Sequence, residues 1–179
     1  MHQTKNGLPL STRENVVSSL TFLLADSLDL YSQCKQAHWN VRGPGFIALH
    51  ELFDRLSTEV NLASDTIAER ILQLGGTAPG TVRVAAADSR LKEYPITLGT
   101  GEQHAEALSL SLAEFNTMMR NAIDETADLN DAITTDMLTG IVRGLDKQLW
   151  FVESHLPMGA EMASKFGGVK MLDFRVHEQ

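Results

Sequence analysis

The segment QAHWNVRGPGFIALHELFD, residues 36–54, places two histidines and a carboxylate close together in a chain with only six histidines. His38 lies near the end of the first predicted helix, and Asp54 follows His50 by one helical turn. Imidazole and carboxylate groups with no thiolate nearby suit a borderline or hard metal such as Fe(II), with Zn(II) or Mn(II) as alternative occupants. Three such groups are an incomplete ligand set, so a metal site would need further ligands from elsewhere.

One face of the second predicted helix is rich in such ligands. At ~100° per residue this face contains Ile47, His50, Asp54, Thr58, Asn61, Asp65, Ala68, Glu69 and Leu72. It carries three carboxylates and a histidine but no lysine or arginine of its own. A solvated face usually mixes both signs of charge and gains from pairs one turn apart. The pattern therefore favours metal binding over a solvated surface.

The two ligand pairs on this helix are too far apart to serve one metal cluster within a single chain. The midpoints of His50/Asp54 and Asp65/Glu69 are fifteen residues apart, which is ~22 Å along a helix. Metal–ligand bonds are only about 2 Å long. Two copies of the helix, antiparallel about a two-fold axis near residues 59–60, would join unlike pairs and create two equivalent sites. His38 could cap each cluster.

Hydrophobic spacing predicts four long helices and an all-α fold. Their predicted extents are 11–40, 46–74, 108–123 and 133–152, with a short helix near 85–92 inside a long crossover. The sequence STRE at residues 11–14 predicts a capping box for the first helix, and Gly75 and Gly76 are expected to stop the second. Phe46 and Ile133 are expected to face the core at the starts of their helices. Two helix pairs joined by one long connection form a ferritin-like four-helix bundle.

The composition bounds the class of protein. The 179 residues are expected to form one domain, with the bundle over 11–156 and tails at 1–10 and 157–179. No stretch is apolar and long enough to cross a bilayer, and the first residues lack the apolar region of a signal peptide. The single cysteine, Cys34, excludes an intrachain disulfide and favours a reducing, cytoplasmic location.

Charge argues against a chain built mainly to bind DNA. The net charge is −8, and both tails are nearly balanced. Residues 1–15 contain Lys5 and Arg13 against Glu14, and three acids offset Lys165, Lys170 and Arg175 in the last segment. DNA binding is therefore predicted to be weak or absent, although avidity in an oligomer would strengthen it. The apolar run Val169, Met171, Leu172 and Phe174 is expected to dock on the rest of the protein.

Several quoted motifs together resemble the Dps family, the ferritin-like mini-ferritins. They are KQAHWNVRGPGFIALHELFD (35–54), DTIAER (65–70), QLGGTAPGT (73–81), LKEYP (91–95) and LDKQLWFVESHL (145–156). The resemblance implies a hollow homododecamer with a ferroxidase centre at each two-fold interface. His38, His50 and Asp54 would come from one chain, and Asp65 and Glu69 from its mate. Fe(II) would be oxidised there by hydrogen peroxide or dioxygen, and Fe(III) mineral would be stored in the cavity.

The resemblance also implies roles for residues around this centre. Trp39 would either accept an oxidising equivalent or serve as a buried interface aromatic. The acidic junction between the last two helices resembles an iron-entry pore at a three-fold axis. The candidate pore residues are Asp124, Asp128, Asp131 and Asp136. Converging carboxylates would concentrate Fe(II) by their local potential.

Two other functions remain open. One is a DNA-compacting structural protein with a weak or vestigial metal site. The other is a larger ferritin or bacterioferritin, which would hold its di-iron centre inside one bundle on Glu-x-x-His motifs. No such motif occurs in the four predicted helices, which counts against the second alternative.

Overall fold

The computed structural model describes residues 1–157, and this part of the chain contains five α-helices and no strand. Their bounds are α1 Leu10–Asn40, α2 Phe46–Gln73, α3 Val82–Asp88, α4 Gly101–Asp128 and α5 Ala132–Glu153. The all-α prediction is confirmed. None of these helices is long and apolar enough to cross a membrane.

Two helical hairpins build the bundle. α1 packs chiefly against α2, and α4 packs chiefly against α5, while the crossover between α2 and α4 carries α3 against α1. Leucine, isoleucine, valine and phenylalanine side chains from all four long helices meet in one core. Its largest fully buried members include Leu20, Phe53, Ile67, Leu112 and Phe115. This is the ferritin-like arrangement that the helix pattern predicts.

The start of α1 differs from the prediction. The helix begins at Leu10 after Pro9, and no side chain caps it, so the predicted capping box is wrong. Arg13, inside that motif, instead donates hydrogen bonds to the carbonyl oxygens of Leu8 and Leu74. A capping box does occur at the start of α4, where Thr100 and Gln103 bond to each other's backbone.

The first residues are docked and do not form a free tail. The backbone N–H of His2 donates to the carbonyl oxygen of Gly75 at 2.7 Å, and the partly buried Leu8 packs against the core. Gly75 ends α2 in the left-handed region, at φ 89°. A Cβ at this position would lie 2.8 Å from the His2 oxygen. The glycine stop therefore also makes room for the amino-terminal segment.

Two predicted core residues are exposed in the single chain. Phe46 is 40% exposed and Ile133 is 67% exposed. Each lies in the first turn of its helix. Helical periodicity identifies an apolar face but not whether that face meets this chain or another surface.

The short crossover helix ends four residues earlier than predicted because α1 binds the segment that follows it. The buried Asp26 accepts hydrogen bonds from the backbone N–H of Arg90 at 2.7 Å and from its guanidinium. Asp29 accepts another from the Ser89 hydroxyl. These bonds hold the chain in extended conformation after Asp88. Most of the acidic stretch after residue 123 belongs to α4, which continues to Asp128.

Candidate metal centre

His38, near the end of α1, and His50, in the second turn of α2, are held face to face. Their ring centroids are 3.8 Å apart, with 23° between the ring planes. The bonds between them are reciprocal. His38 Nδ1 lies 2.8 Å from the carbonyl oxygen of His50, and His50 Nδ1 lies 2.9 Å from the carbonyl oxygen of His38. Each histidine thus fixes the ring of the other.

These bonds determine which ring nitrogens can bind a metal. A carbonyl oxygen can only accept a hydrogen bond, so each Nδ1 must carry the proton. In the neutral imidazole the lone pair is then on Nε2. Metal-binding histidines commonly donate their second nitrogen to a carbonyl or carboxylate in this way, which fixes the tautomer and the ring orientation. The pair therefore presents two oriented nitrogen ligands.

A five-residue connection brings the two helices together at this point. Gly43 and Gly45 adopt positive φ values of 92° and 74°, which glycine allows at little cost. Val41, the first residue of the connection, is buried in the core. The glycines therefore let α2 start directly beside the end of α1, with the two histidines opposite each other.

Asp54 adds an oxygen ligand beside the histidines. Its Oδ1 lies 3.9 Å from His38 Nε2 and accepts a hydrogen bond from Lys35 Nζ at 2.7 Å. That bond, aided by the lysine's charge, lowers the pKa of Asp54 below its usual value. The carboxylate is therefore ionised at neutral pH. Its side chain is 52% exposed, so the group opens toward the surface.

Lys35 is the residue at this site that the sequence analysis did not identify. The ligand-rich face of α2 has no cation of its own, but α1 supplies one. Lys35 precedes His38 by three residues, one helical turn, so its spacing could have indicated that both lie on one face. Its Nζ also lies 5.7 Å from the ring centroid of Trp39. Trp39 is 68% exposed in the single chain, and its role stays a prediction.

Cys34 does not belong to the ligand set. It is fully buried in α1, and burial strongly raises the pKa of its thiol. Because the thiolate is the form that binds metals, the protonated and enclosed Cys34 is a packing residue. The groups that could act as ligands here are imidazole and carboxylate.

Asp65 and Glu69 lie on the distant part of the same continuous helix, and both are exposed. The unbroken α2 therefore preserves the ~22 Å separation from His50 and Asp54. Within residues 1–157 of one chain, no three His, Cys, Asp or Glu side chains are arranged to hold a metal ion. One chain presents two partial ligand groups and does not bring the five predicted ligands together.

The buried carboxylates in the described part of the chain are neutralised by arginines. Asp26 is paired with Arg90, and Asp131 is paired with Arg70. Neither pair leaves a cluster of free carboxylates in the bundle interior. This arrangement is unlike the intrabundle di-iron centre of larger ferritins.

Asp131 is not available to line a pore. It is 1% exposed, caps α5 by accepting from the Thr134 backbone N–H, and pairs with Arg70 at 2.9 Å. Burial alone would raise its pKa, but the bonds from Thr134 and the charge of Arg70 outweigh that effect and lower it. We therefore remove Asp131 from the pore candidates. Asp124, Asp128 and Asp136 are exposed, and Asp136 lines a depression of about 450 Å³ at the junction of α4 and α5.

The sequence is similar to a protein family and to several known proteins. The family model described as ferritin-like domain matches residues 18–160. A DNA protection during starvation protein of Agrobacterium fabrum is 43% identical over 155 residues, covering 87% of this chain and 96% of that protein. A protein of the same description from Brevibacillus brevis is 34% identical over 149 residues, covering 82% of this chain and 97% of its own.

Solved structures show the same fold. A Dps of Mycobacterium smegmatis superposes with a TM-score of 0.84 at 32% identity, covering 89% of this chain and 96% of its own. DpsA14 of Streptomyces coelicolor gives a TM-score of 0.82 at 34% identity, covering 87% of this chain and 92% of its own. In each case the similarity covers more than four fifths of this chain.

Proposed function

The chain belongs to the Dps family of ferritin-like proteins, and from this premise we propose that it oxidises Fe(II) at centres shared by two subunits. The observation that carries the proposal is the reciprocal pair of His38 and His50 beside Asp54. Two imidazole nitrogens and a carboxylate form a donor set that suits Fe(II). Protection of the cell from oxidative damage would follow, because the reaction consumes both Fe(II) and the oxidant.

The ligand set is completed by a second copy of the chain. His38, His50 and Asp54 of one subunit would face Asp65 and Glu69 of the partner subunit across a two-fold axis. The exposed apolar residues of α2 support such an interface. Ile47 and Leu62 are each 61% exposed, and Leu72 is 45% exposed. Large apolar side chains that stay exposed along one helix are candidates for contact with a partner.

Fe(II) is the substrate, and the residues hold it where an oxidant can reach it. Two Fe(II) ions would give one electron each to a molecule of hydrogen peroxide, which takes up two protons and becomes two water molecules. Dioxygen is the alternative oxidant. The protein supplies oriented nitrogen and oxygen ligands, and carboxylates favour the Fe(III) product because a higher charge binds harder oxygen ligands more strongly. The Fe(III) would then pass to a stored mineral.

Assembly into a closed homododecamer is part of the proposal. The interior would hold the mineral, and Asp124, Asp128 and Asp136 near the α4–α5 junction would attract Fe(II) to an entry pore. Light scattering combined with size-exclusion chromatography should give the mass of twelve 19.7 kDa chains. A stable monomer at neutral pH and moderate salt would contradict both the shell and the shared centre.

Iron titration tests the chemistry directly. Fe(II) added to the protein without oxygen should first bind at a fixed number of sites per subunit pair. A matching amount of hydrogen peroxide, or air, should then produce the absorbance of Fe(III), and comparing the rates identifies the preferred oxidant. Competition by Zn(II) would measure occupancy of the same ligands. If Fe(II) oxidises no faster than in buffer with either oxidant, the ferroxidase proposal is wrong.

Compaction of DNA by a protein with a weak metal site is the second candidate. The curated relatives from Agrobacterium fabrum and Brevibacillus brevis are described as DNA protection during starvation proteins, which favours it. The net charge of −8 opposes it, since DNA affinity depends on the number of phosphates that are neutralised. A mobility shift at physiological salt would separate the two functions.

A further inference from the structure

A large groove in the described part of the chain lies between the crossover and α4. It has a volume of about 1010 Å³. The crossover segment 92–98 forms one wall, and the first half of α4 forms the other. Its apolar lining includes Tyr94, Leu98, Leu110 and Leu156. Leu110 is 62% exposed, so an apolar surface remains uncovered by residues 1–157.

The groove is also acidic. Glu93, Glu102, Glu106 and Glu114 line it, against the single cation Lys92. Three of these glutamates lie along α4, and the distance from residue 102 to residue 114 is ~18 Å along the helix axis. An occupant that suits this groove would therefore be apolar, elongated and basic.

The chain itself supplies such a segment at one end of the groove. Leu156 and Pro157, the last described residues, form part of the lining, and twenty-two more residues follow them. Within these, the stretch MASKFGGVKML (162–172) carries two lysines, five large apolar residues and no acid. Lys165 and Lys170 are five residues apart, and an extended chain would separate them by ~17 Å. That distance matches the spacing of the groove's carboxylates.

We propose that residues 162–172 dock into this groove of their own chain, with Lys165 and Lys170 paired to carboxylates of α4 and the apolar side chains covering Leu110. Four residues join Pro157 to Met162, and such a short connection gives a high effective concentration at the groove. The apolar side chains of the segment would cover the apolar lining of the groove, and its two lysines would face the glutamates. Docking would also withhold both lysines from DNA phosphates. The proposal does not depend on iron oxidation.

Cross-linking of the full-length protein tests the placement. A zero-length carbodiimide joins lysine to carboxylate only where the two are in contact. Mass spectrometry should find Lys165 or Lys170 linked to Glu93, Glu102, Glu106 or Glu114. Shells can be refolded from a mixture of light and heavy isotope-labelled chains, and native mass spectrometry verifies the mixing. The isotope labels then show whether a linked segment and groove belong to the same chain. Links within one isotope class support docking in the same chain, whereas links between classes would overturn it.

Proteolysis of matched variants provides an independent readout. Leu110→Ser combined with Glu106→Gln removes an apolar and a charged contact from the groove. The control, Leu10→Ser combined with Glu14→Gln, alters an exposed leucine and a glutamate with the same spacing on α1. Trypsin should cleave after Lys165 and Lys170 about tenfold faster in the groove variant, because cleavage follows the population of the undocked form, and at the wild-type rate in the control. Equal cleavage of all three proteins, or an absence of groove cross-links, would refute the proposal.

Discussion

The reciprocal bonds between His38 and His50 fix the geometry of the candidate site. Each ring is fixed by the other residue's backbone, so the two nitrogens proposed as ligands are oriented in the protein without a metal. Asp54 is held differently, by a lysine that is itself a competitor for the carboxylate. Binding of a cation must therefore displace or share the Lys35 contact.

Removing this lysine should strengthen metal binding. Lys35→Gln deletes the charge that competes for Asp54, and exposed pairs of this kind contribute little, so affinity for Zn(II) should rise by about two- to fivefold. Isothermal titration with Zn(II), which undergoes no redox change, measures this without iron oxidation. The control is Arg55→Gln, which removes an exposed cation from α2 beside Asp54. Equal tightening in both variants would indicate a general charge effect and no specific role for Lys35.

Asp65 and Glu69 should matter for iron oxidation although they lie far from the histidines in the single chain. Asp65→Asn and Glu69→Gln remove anionic ligands, and because even outer residues at metal sites are worth ~10-fold, the initial oxidation rate should fall at least that much. Both side chains are exposed, so circular dichroism should show unchanged helix content. Glu51→Gln, an exposed acid on the same helix outside the ligand face, is the control. Wild-type rates in the Asp65 and Glu69 variants would exclude them from the centre.

At the scale of helices, the pair of Arg70 and Asp131 joins α2 to the start of α5. The two side chains are 8% and 1% exposed, and Thr134 adds hydrogen bonds to both. The bundle thereby fixes the position of α5 relative to the helix that carries four of the five predicted metal ligands. An acidic residue that resembles a pore ligand in the sequence is instead part of this joint.

Neutralising Asp131 should destabilise the protein in a pH-dependent way. Asp131→Asn leaves Arg70 as a buried, unpaired charge, which should cost about 3 kcal/mol at pH 7. Since folding lowers the pKa of Asp131, its contribution is present above the unfolded value of ~3.9 and is lost as pH falls through the folded value. The difference between wild type and variant should therefore shrink in acid.

Thermal unfolding at pH 7 and pH 3, at equal protein concentration, measures this difference. Asp128→Asn, an exposed acid in the last turn of α4, is the control and should unfold like the wild type at both values. A variant as stable as the wild type at pH 7 would show that the ion pair contributes no net stability.

At the scale of the whole molecule, co-assembly of two inactive chains tests the shared centre. One chain carries His50→Ala and Asp54→Ala, and the other carries Asp65→Ala and Glu69→Ala. Random pairing puts unlike chains at half of the two-fold interfaces, and each such interface regains one complete site of its two. About a quarter of the wild-type sites should return. If mixed shells form and remain as inactive as their parents, iron must be bound within single subunits.

Binding to DNA should be weak at physiological salt. The chain carries a charge of −8, and the few cations near its ends are offset by acids, so few phosphates can be neutralised. A mobility-shift assay should show free DNA near physiological salt and binding, if any, only at low salt. A robust shift that disappears on deletion of residues 158–179 would show that the last segment, which lies outside the described residues, contributes more than its charge predicts.

The sequence alone determined the helices, the family and the separation of the two ligand pairs. Helical spacing is a local property, so the extents of α1 and α2 could be predicted closely, and a rigid helix converts residue number directly into distance. Motifs such as AHWN and LHELFD indicate the family because they are long and contiguous. The capping box before α1 was predicted wrongly because so short a motif also occurs by chance. The structure has its capping box at α4 instead.

Only the tertiary structure decided which residues face each other across helices. It paired the rings of His38 and His50, because the turn with two glycines sets the end of α1 beside the start of α2. It brought Lys35 of α1 into hydrogen-bonding contact with Asp54 of α2. It also buried Asp131 against Arg70, sixty-one positions away in the sequence. The sequence shows that a residue is an aspartate but not whether its carboxylate is exposed at a pore or buried beside an arginine. Burial and partners arise from packing between distant segments, and spacing along one helix carries no information about them.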